Sequence, residues 1–447
     1  MIMHFIDREE EIRLLESAYA SNRSQLILIH GRRRIGKTRL LKEFIKDRQS
    51  RYFYVPLGGL QTVLDAFSST VQQEFKGLKF ADISSFFEYM SEKLASGMII
   101  VLDEFQRLNS IDGAISLLQK YWDDKFSSGS GMLILSGSSY GLIRRIALTG
   151  DSPLYGRRTM TLEIKSMPFA TLKSWFPRYK GEALVKVYAA FGGTPAYLSL
   201  VNQDMSPEEN VLKVIIAKDG PLNQEPEFLL MHELRAPERY MDILAAISSG
   251  KTRFTEISDS TGIKRESLTP YLEILEELGL IQKEFPILVK TKKPAFKISD
   301  NFFNFWFRFV HPYMQSVELG LERQVWESEQ MNFNSYLDNI FERVAGEFVA
   351  KLIKSGKVKA DMLGKWEYLG EEIDLVAYSS LAKRAYLFEV KWKDLSKTEA
   401  LKVMNNLKLK NIQSEEKVYG IIAKSIEKKD ELREKGYFAF DMKDLMD

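Results

Sequence analysis

The sequence has no cysteine and only four histidines among its 447 residues. Without cysteine there are no disulfides and no thiolate metal sites, and a reducing, cytoplasmic setting is favoured. The amino terminus turns acidic at its seventh residue and lacks the apolar core of a signal peptide. The most apolar run, Phe302 to Val310, is interrupted by Asn304 and Arg308. Because it is too short to cross a bilayer, it predicts a buried helix and no membrane partner.

Neither sign of charge prevails. The 63 lysines and arginines face 61 aspartates and glutamates, so the formal net charge is only +2. The overall charge therefore requires no nucleic-acid partner, and any such binding must come from local patches. Hydrophobic residues make up 45% of the chain, which is enough for packed cores. A chain of this length predicts roughly three domains.

Short apolar runs alternate with helical patterns in the first third of the chain. This alternation predicts an α/β domain with a parallel sheet. A helical stretch follows and is broken by Gly192 to Pro195. After Pro237 we expect three short helices and a basic strand segment, then a helical bridge, and strands again toward the carboxyl end. The apolar runs of the first third are residues 26–30, 99–102 and 132–135.

A glycine-rich loop matching G-x-x-x-x-G-K-[ST] follows the first apolar run and precedes an amphipathic helix. Its backbone amides can surround phosphate oxygens, and the helix amino terminus adds partial positive charge. We expect Lys37 to reach the β- and γ-phosphates and the Thr38 hydroxyl to coordinate Mg²⁺. The alternative is a chance glycine turn. The arginines need contribute only backbone, and the loop consists of Gly31, Arg32, Arg33, Arg34, Ile35, Gly36, Lys37 and Thr38.

Two further strand ends complete the predicted nucleotide site. The run at 98–102 ends in Asp103, expected to hold the Mg²⁺ shell, and Glu104, expected to orient the attacking water. The run at 132–135 ends in Ser136-Gly137-Ser138-Ser139, a position from which a hydroxyl, Ser136 in particular, can sense the γ-phosphate. Acidic pairs at strand ends are common and ordinary turn chemistry also explains the serine. The combination with the loop predicts that ATP and Mg²⁺ bind here and that ATP is hydrolysed.

These segments, with three more, resemble the archaeal ATPase family of STAND-type P-loop NTPases, relatives of AAA+ proteins. The resemblance covers roughly residues 1–235. It implies that Asp7 and Arg8 lie near the adenine and that Pro195 packs near the nucleotide from a helical lid. It also implies that Arg157 or Arg158 contacts phosphate and reports loss of the γ-phosphate, although either arginine is alternatively a solvated surface charge. The three additional segments are FIDREEE at 5–11, LYGRR at 154–158 and GGTP at 192–195.

Residues 238–279 read as three short helices, and the basic strands that follow look like the β-wing of a winged helix. In that fold the third helix enters the DNA major groove, and wing lysines touch phosphates. The third helix is acidic, however, which suits docking to protein better than binding a polyanion, so both roles stay open. The charged residues concerned are Glu266, Glu273, Glu276 and Glu277 against Lys264 and Arg265, with Lys290, Lys292 and Lys293 on the wing.

The carboxyl-terminal strands carry a possible metal site. Glu389 and Lys391 share one face of a strand, and Asp374 on the preceding strand can join Glu389 in binding a divalent ion. Lys391 would polarise water. The arrangement resembles the PD-(D/E)xK nucleases, with Ile373 in place of the proline and Glu342 as a further acid. A surface carboxylate and lysine on an edge strand is the alternative, and a degenerate site would only grip DNA.

The region from about residue 335 resembles the DUF234 domain. The predicted fold class is α/β, with a P-loop NTPase domain, a helical lid, a winged helix and a carboxyl-terminal restriction-endonuclease-like domain. We expect an ATP-driven switch coupled to DNA binding or processing. The alternatives are a signalling or scaffold ATPase with protein partners and an AAA+ loader similar to replication initiators. The expected boundaries are 1–165 for the ATPase core, 166–235 for the lid, 236–300 for the winged helix, 301–335 for a helical bridge and 336–447 for the nuclease-like domain.

Overall fold

The computed structural model describes residues 6–72, 77–150, 152–234, 236–289 and 293–446. It divides into two compact units, Met1–Ser166 with Thr194–Ala196, and Met167–Gly193 with Tyr197–Asp447. None of the helices in the described ranges combines the length and apolarity needed to span a membrane.

A five-stranded parallel sheet forms the centre of the first unit, in the order β2-β3-β4-β1-β5. This arrangement confirms the predicted α/β class. The strand β4 lies between β1 and β3, so the segment that follows each of these three strands reaches the same edge of the sheet. The strands are β1 (Gln25–His30), β2 (Ser50–Tyr54), β3 (Ile99–Asp103), β4 (Met132–Gly137) and β5 (Met160–Glu163).

Helices cover both faces of this sheet, as expected for buried parallel strands. Side chains alternate along β1, so Leu26 and Leu28 pack on one face while Ile27 and Ile29 pack on the other. The first face is covered by α3, α4 and α5, and the second by α1 and α2. The helices are α1 (Glu9–Ala20), α2 (Lys37–Ile45), α3 (Leu60–Gln72), α4 (Ile83–Ala95), α5 (Ala114–Asp124) and α6 (Tyr140–Ile143), the last continued by a π-helical turn at Arg144–Leu148.

The second unit begins with short helices and continues with a three-helix segment and an antiparallel hairpin. The short helices are α7 (Leu172–Trp175), α8 (Glu182–Phe191), α9 (Pro195–Leu198), whose first two residues belong to the first unit, α10 (Pro207–Asn210) and α11 (Glu225–Glu233). The next segment contains α12 (Pro237–Ser248), α13 (Phe254–Thr261), α14 (Arg265–Glu277), β6 (Ile281–Glu284) and β7 (Ala295–Ile298).

Four helices connect the hairpin to the carboxyl-terminal sheet. The first of them has seven buried residues among its nine, which confirms the buried helix expected at the most apolar run. The fourth is long, and its aromatic residues pack on the sheet through ring contacts of Phe341 with Trp392 and of Phe348 with Phe440. The helices are α15 (Asn301–Phe309), α16 (Met314–Glu318), α17 (Glu322–Ser328) and α18 (Gln330–Lys354).

The carboxyl-terminal sheet is mixed, in the order β12-β11-β10-β9-β8. Strands β8, β9 and β10 pair antiparallel, whereas β10, β11 and β12 pair parallel. Ala400 and Met404 of α19 pack on the sheet beside Ile421 and Ala423. The elements are β8 (Met362–Tyr368), β9 (Glu371–Ser379), β10 (Arg384–Leu395), α19 (Lys397–Leu409), β11 (Glu416–Ile426), α20 (Lys429–Glu434), β12 (Phe438–Asp441) and α21 (Met442–Met446).

Candidate functional site: a P-loop and an acid–lysine cluster

The glycine-rich loop lies between β1 and α2, as its sequence pattern requires. A Cβ on Gly31 would lie 2.4 Å from the carbonyl oxygen of Ile164, so only glycine lets the chain pass there without displacing backbone. Gly36 caps α2 with a φ of 96°, in the region that favours glycine. Arg34 also has a positive φ, of 65°. The observed shape of the loop therefore depends on glycine at positions 31 and 36.

Lys37 opens α2, and its side chain is buried. Its Nζ donates to the carbonyl oxygens of Gly31 and Arg32, at 2.7 and 2.9 Å. The ammonium group is therefore held at the loop, where the triphosphate of a bound nucleotide is expected.

Thr38 and Asp103 meet although 65 residues separate them. The Thr38 hydroxyl donates to Asp103 Oδ2 over 2.8 Å, and Asp103 is only 2% exposed. The hydroxyl of Tyr52 donates to the same carboxylate oxygen, and burial together with this contact raises the pKa of Tyr52. Hydroxyl and carboxylate oxygens are the hard donors that Mg²⁺ prefers, so these residues fit a magnesium ion.

Glu104 follows Asp103 in a left-handed backbone conformation, with a φ of 59°. Such a conformation is costly for a side chain other than glycine and tends to persist at functional sites. Its Oε2 accepts hydrogen bonds from Gln106 Nε2 at 2.6 Å and from Ser138 Oγ at 2.8 Å. Arg107 lies 3.9 Å away. The carboxylate is thus oriented at the edge of the sheet where the P-loop begins.

Ser136 sits at the end of β4, paired with Asp103 of β3 and Ile29 of β1. It is fully buried, and its Oγ has no hydrogen-bond partner among the described residues. Buried hydroxyls almost always have a partner, so this one is available to a group that binds at the strand ends.

Residues from two distant segments approach the loop. The Arg8 guanidinium donates to the Lys165 carbonyl at 2.7 Å and to the Ile35 carbonyl at 3.5 Å. Asp7, which precedes it, has a positive φ of 55°. The Cγ of Pro195 lies 3.7 Å from the position that a Cβ on Gly36 would occupy. Both segments therefore border the P-loop.

Arg157 and Arg158 have different surroundings. Thr159 donates to the Leu26 carbonyl near the start of β1, so both arginines lie at the edge of the sheet opposite the P-loop, about 17 Å away along the strand. Arg157 forms a two-pronged ion pair with Asp123 of α5, at 2.7 and 2.8 Å. The structure thus does not bring Arg157 to the P-loop.

The Arg158 side chain extends along β5 instead, donating to Thr161 Oγ1 over 2.8 Å. Its charge, like that of Lys37, acts on buried His30 and adds to the effect of burial, which lowers the pKa of that imidazole. His30 immediately precedes the P-loop. Of the two arginines, Arg158 is therefore the one directed toward the phosphate-binding edge.

Two of the contact residues of this site, Tyr52 and Gln106, were absent from the sequence prediction, and the role of Ser138 as a partner of Glu104 was not foreseen. Tyr52 shares Asp103 with Thr38, and Ser138 and Gln106 hold Glu104. Ser138 belongs to the Ser-Gly-Ser-Ser run that ends β4, so its position was a usable signal. Tyr52 and Gln106 carry no local pattern that points to this role.

In the segment expected to act as a winged helix, the loop between β6 and β7 packs against β8 within the second unit. Ile287 N donates to the Lys365 carbonyl of β8 over 2.9 Å, and Leu288 and Val289 pack with Ile287 in the apolar cluster around Trp366. Lys290 and Lys292 lie outside the described residues. For Lys293 the described contact is its carbonyl, which accepts from Arg253, whose guanidinium also pairs with Glu367 of β8.

The exposed face of α14 carries little positive charge. Arg265 is exposed there and lies 3.8 Å from Asp259. Glu266 and Glu273 are exposed on the same helix, and Lys283 pairs with Glu276 at 2.6 Å. Phosphate contacts need unpaired cations, so this helix face is poorly suited to DNA.

Asp374, Glu389 and Lys391 come together on two neighbouring strands of the carboxyl-terminal sheet. Lys391 Nζ lies 2.8 Å from Glu389 Oε1 and 3.5 Å from Asp374 Oδ2. Asp374 is 7% exposed and also accepts from the Val390 amide at 2.8 Å. Burial and the neighbouring Asp374 charge raise the pKa of Glu389. Since β10 lies between β9 and β11, the edge-strand alternative is wrong.

Glu342 approaches this cluster from α18. Burial, followed by the charge of Asp374, raises the pKa of Glu342 to about 7. Within the described part of the chain, however, no three histidine, aspartate or glutamate side chains converge closely enough to hold a metal ion. The predicted trio of carboxylates is therefore not assembled around one point in this conformation.

Comparisons with known proteins match two separate parts of the chain. Residues 5–201 match a family described as an ATPase domain predominantly from Archaea, and residues 306–403 match DUF234, found in archaeal and bacterial proteins of unknown function. An uncharacterized protein of Methanocaldococcus jannaschii is 36% identical over 437 residues, covering 95% of this chain and 97% of that protein.

Two further likenesses cover less of the chain. An uncharacterized ATP-binding protein of M. jannaschii is 42% identical over 48 residues, 11% of this chain and 81% of that protein. The Walker-type ATPase of Pyrococcus abyssi shares the fold with a TM-score of 0.52 and 24% identity, covering 68% of this chain and 96% of that one. The chain therefore belongs to the archaeal ATPase family, with a P-loop ATPase domain followed by a DUF234 region.

Proposed function

We propose that the first unit hydrolyses ATP with Mg²⁺ and that the nucleotide state acts as a switch on the rest of the chain. The meeting of Thr38 with Asp103 at 2.8 Å, directly behind the P-loop, carries this proposal. It gathers a cation site, a lysine and phosphate-binding amides at one edge of the sheet, which are the parts that phosphoryl transfer requires.

Each residue has a distinct task in this proposal. The amides of residues 31–38 bind the phosphates, Lys37 exchanges its carbonyl partners for phosphate oxygens, and Thr38 and Asp103 hold Mg²⁺. The ion would neutralise charge on the transferring phosphoryl group. Glu104 accepts the proton of the attacking water, with Ser138 and Gln106 fixing its carboxylate.

Three further residues complete the nucleotide site. The unpartnered Ser136 hydroxyl contacts the γ-phosphate or the attacking water. Asp7 and Arg8 border the adenine side. Pro195 connects the nucleotide site to the second unit along the chain, because Thr194–Ala196 belongs to the first unit while the residues on both sides belong to the second. A change at Gly36 on nucleotide binding is thereby passed to Pro195 and the helices attached to it.

The test is ATP turnover by the full chain with Mg²⁺. Lys37→Ala removes the buried ammonium and should abolish nucleotide binding or turnover, whereas Lys46→Ala, an exposed lysine just after the same helix, should leave both unchanged. Equal turnover by the two variants would contradict the assignment of the site.

The arginines provide a second check on the switch. Arg158→Ala should weaken the binding of ATP more than that of ADP, because the Arg158 guanidinium is directed toward the P-loop. Arg157→Ala should leave the affinity for both nucleotides unchanged. The measurement is calorimetric titration of each variant with both nucleotides. Loss of ATP preference in Arg157→Ala alone would show that this arginine leaves Asp123 and reaches phosphate in the bound state.

A second candidate function is phosphodiester cleavage by the carboxyl-terminal domain, a PD-(D/E)xK-like site. The observation that favours it is the placement of Asp374, Glu389 and Lys391 within one hydrogen-bonded cluster on adjacent strands. Asp374 and Glu389 would bind a divalent ion, and Lys391 would stabilise charge on the attacked phosphate. The substrate would be DNA.

Metal-dependent cleavage of plasmid DNA tests this second function. Cleavage should vanish in Lys391→Ala and persist in Lys37→Ala. If no cleavage or DNA binding occurs, the remaining interpretation is a signalling or scaffold ATPase whose distal domains bind protein. The docked hairpin loop and the acidic α14 already favour that alternative for the winged-helix-like segment. Affinity for DNA must fall steeply with salt if phosphates are bound.

A further inference from the structure

A cavity of about 350 Å³ lies within the second unit, apart from the nucleotide site. Its walls come from α12, the β6–β7 hairpin, α15, α18 and the first strands of the carboxyl-terminal sheet. Its volume is at the lower end of the range for small-molecule sites, about 300–1,000 Å³. The polar residues that face it include Asn304, Arg308, Asn339, Glu342, Lys365 and Asp374.

One end of the cavity holds a cation that lacks a counter-ion. The Arg308 guanidinium lies 5.6 Å from the ring centres of Phe309 and Tyr336, and it forms no hydrogen bond or ion pair with any residue the structure describes. Asn304, one helical turn earlier, lines the same end. Held by two rings and flanked by an amide, this guanidinium is positioned to take a carboxylate or phosphate in two-pronged fashion.

The other end holds a carboxylate without a direct partner. Glu342 accepts no hydrogen bond and forms no ion pair within the described ranges, although burial and Asp374 raise its pKa. The two lysines nearby have their own partners, Lys365 with Glu372 at 2.8 Å and Lys297 with Glu284 at 2.6 Å. Two half-buried ionisable groups of opposite charge type thus face one cavity, and neither forms a direct ion pair within the described ranges.

Their spacing limits what can join them. Tyr336 lies beside Arg308, and Glu342 follows Tyr336 by six residues on α18, a rise of about 9 Å along the helix. A molecule whose two charges sit on adjacent atoms cannot meet both groups. A molecule with a flexible chain of several bonds between its charges can.

We propose that this cavity binds a small molecule with an oxyanion at one end, held by Arg308, and a basic nitrogen at the other, held by Glu342 and Asp374. Glu389 and Lys391 do not line the cavity, whereas Asp374 does, so the cavity adjoins the proposed phosphodiester site and shares one carboxylate with it. Because α12, α15, α18 and the sheet all contribute walls, the ligand would fix these elements to one another and act as an effector.

Calorimetric titration of the full chain with matched probes tests the proposal. The probes 6-aminohexanoate and 5-aminopentyl phosphate share the spacing and the amine and differ in the oxyanion, so they separate the carboxylate source from the phosphate source. Hexylamine lacks the anion, hexanoate lacks the amine, and glycine has adjacent charges. At least one matched probe should bind, and the last three should bind at least about tenfold more weakly.

Variants locate the binding. Arg308→Gln and Glu342→Gln should each lower the affinity for the probe that binds by about tenfold or more. The controls Arg323→Gln and Glu371→Gln, which change exposed residues elsewhere, should leave that affinity unchanged. Cooperative thermal unfolding at or above the wild-type temperature would show that the variants fold. The proposal is overturned if neither matched probe binds below about 10 mM, or if binding is indifferent to both cavity variants.

Discussion

Replacing Glu342 by glutamine should stabilise the protein, and the gain should grow with pH. The carboxyl group, on α18, is largely buried, and it accepts no hydrogen bond from the residues described. Glutamine keeps its shape and removes its charge. The cost of burying that charge is present only when the group is ionised.

The size of the effect follows from the pKa. Burial and the charge of Asp374 raise the pKa of Glu342 from its ordinary 4.5 to about 7. One pKa unit corresponds to about 1.4 kcal/mol, so the full difference is about 3 kcal/mol. A group whose folded-state pKa is raised binds its proton more tightly in the folded state. Its favourable contribution is therefore complete below pH 4.5 and is lost as pH rises through about 7.

Urea unfolding at pH 5, 6, 7 and 8 measures this loss. Tryptophan fluorescence reports mainly on the second unit, since it holds all but one of the six tryptophans. Between pH 5 and pH 8 the free energy of unfolding of Glu342→Gln should gain about 2 kcal/mol or more over wild type. Parallel pH profiles for the two proteins would refute the reasoning. The five tryptophans concerned are Trp175, Trp306, Trp326, Trp366 and Trp392.

Two glycines provide steric predictions. Gly31→Ala places a Cβ 2.4 Å from the carbonyl oxygen of Ile164. It should therefore lower the free energy of unfolding in urea by about 1–3 kcal/mol and lower the affinity for ATP measured by calorimetry. Gly59→Ala, with nothing within 4 Å, is its control, and equal effects would contradict the steric account. Gly364→Val places a Cβ 2.8 Å from Cγ2 of Ile287, so it should displace the hairpin loop from β8. Limited proteolysis between β6 and β7 should then accelerate, and an unchanged cleavage rate would count against that docking.

The nucleotide site was predictable where its residues are contiguous in sequence. The P-loop and the acidic pair each occupy one strand end with the following residues, and carboxyl ends of parallel strands meet at one edge of a sheet. The partners of Glu104 were not predictable in this way. Ser138 reaches Glu104 only because β4 lies next to β3, and strand order is a long-range property.

The two arginines and the hairpin loop show the same limit. Arg157 and Arg158 are adjacent in sequence, yet Arg157 pairs with Asp123 while the Arg158 side chain follows β5. The pairing of β5 with β1 sets where each arginine lies. The loop at Ile287 reads as a basic wing from its composition. Its apolar residues instead fill a cluster formed more than seventy residues later in the chain, which no local pattern records.

In the proposed reaction, Glu104 activates water for attack on ATP held at the P-loop. The most direct measurement compares ATP binding and turnover by wild type and Glu104→Gln with Mg²⁺ present. The variant should bind ATP as wild type does and fail to hydrolyse it, because the amide cannot accept the proton. Wild-type turnover by Glu104→Gln would contradict the account.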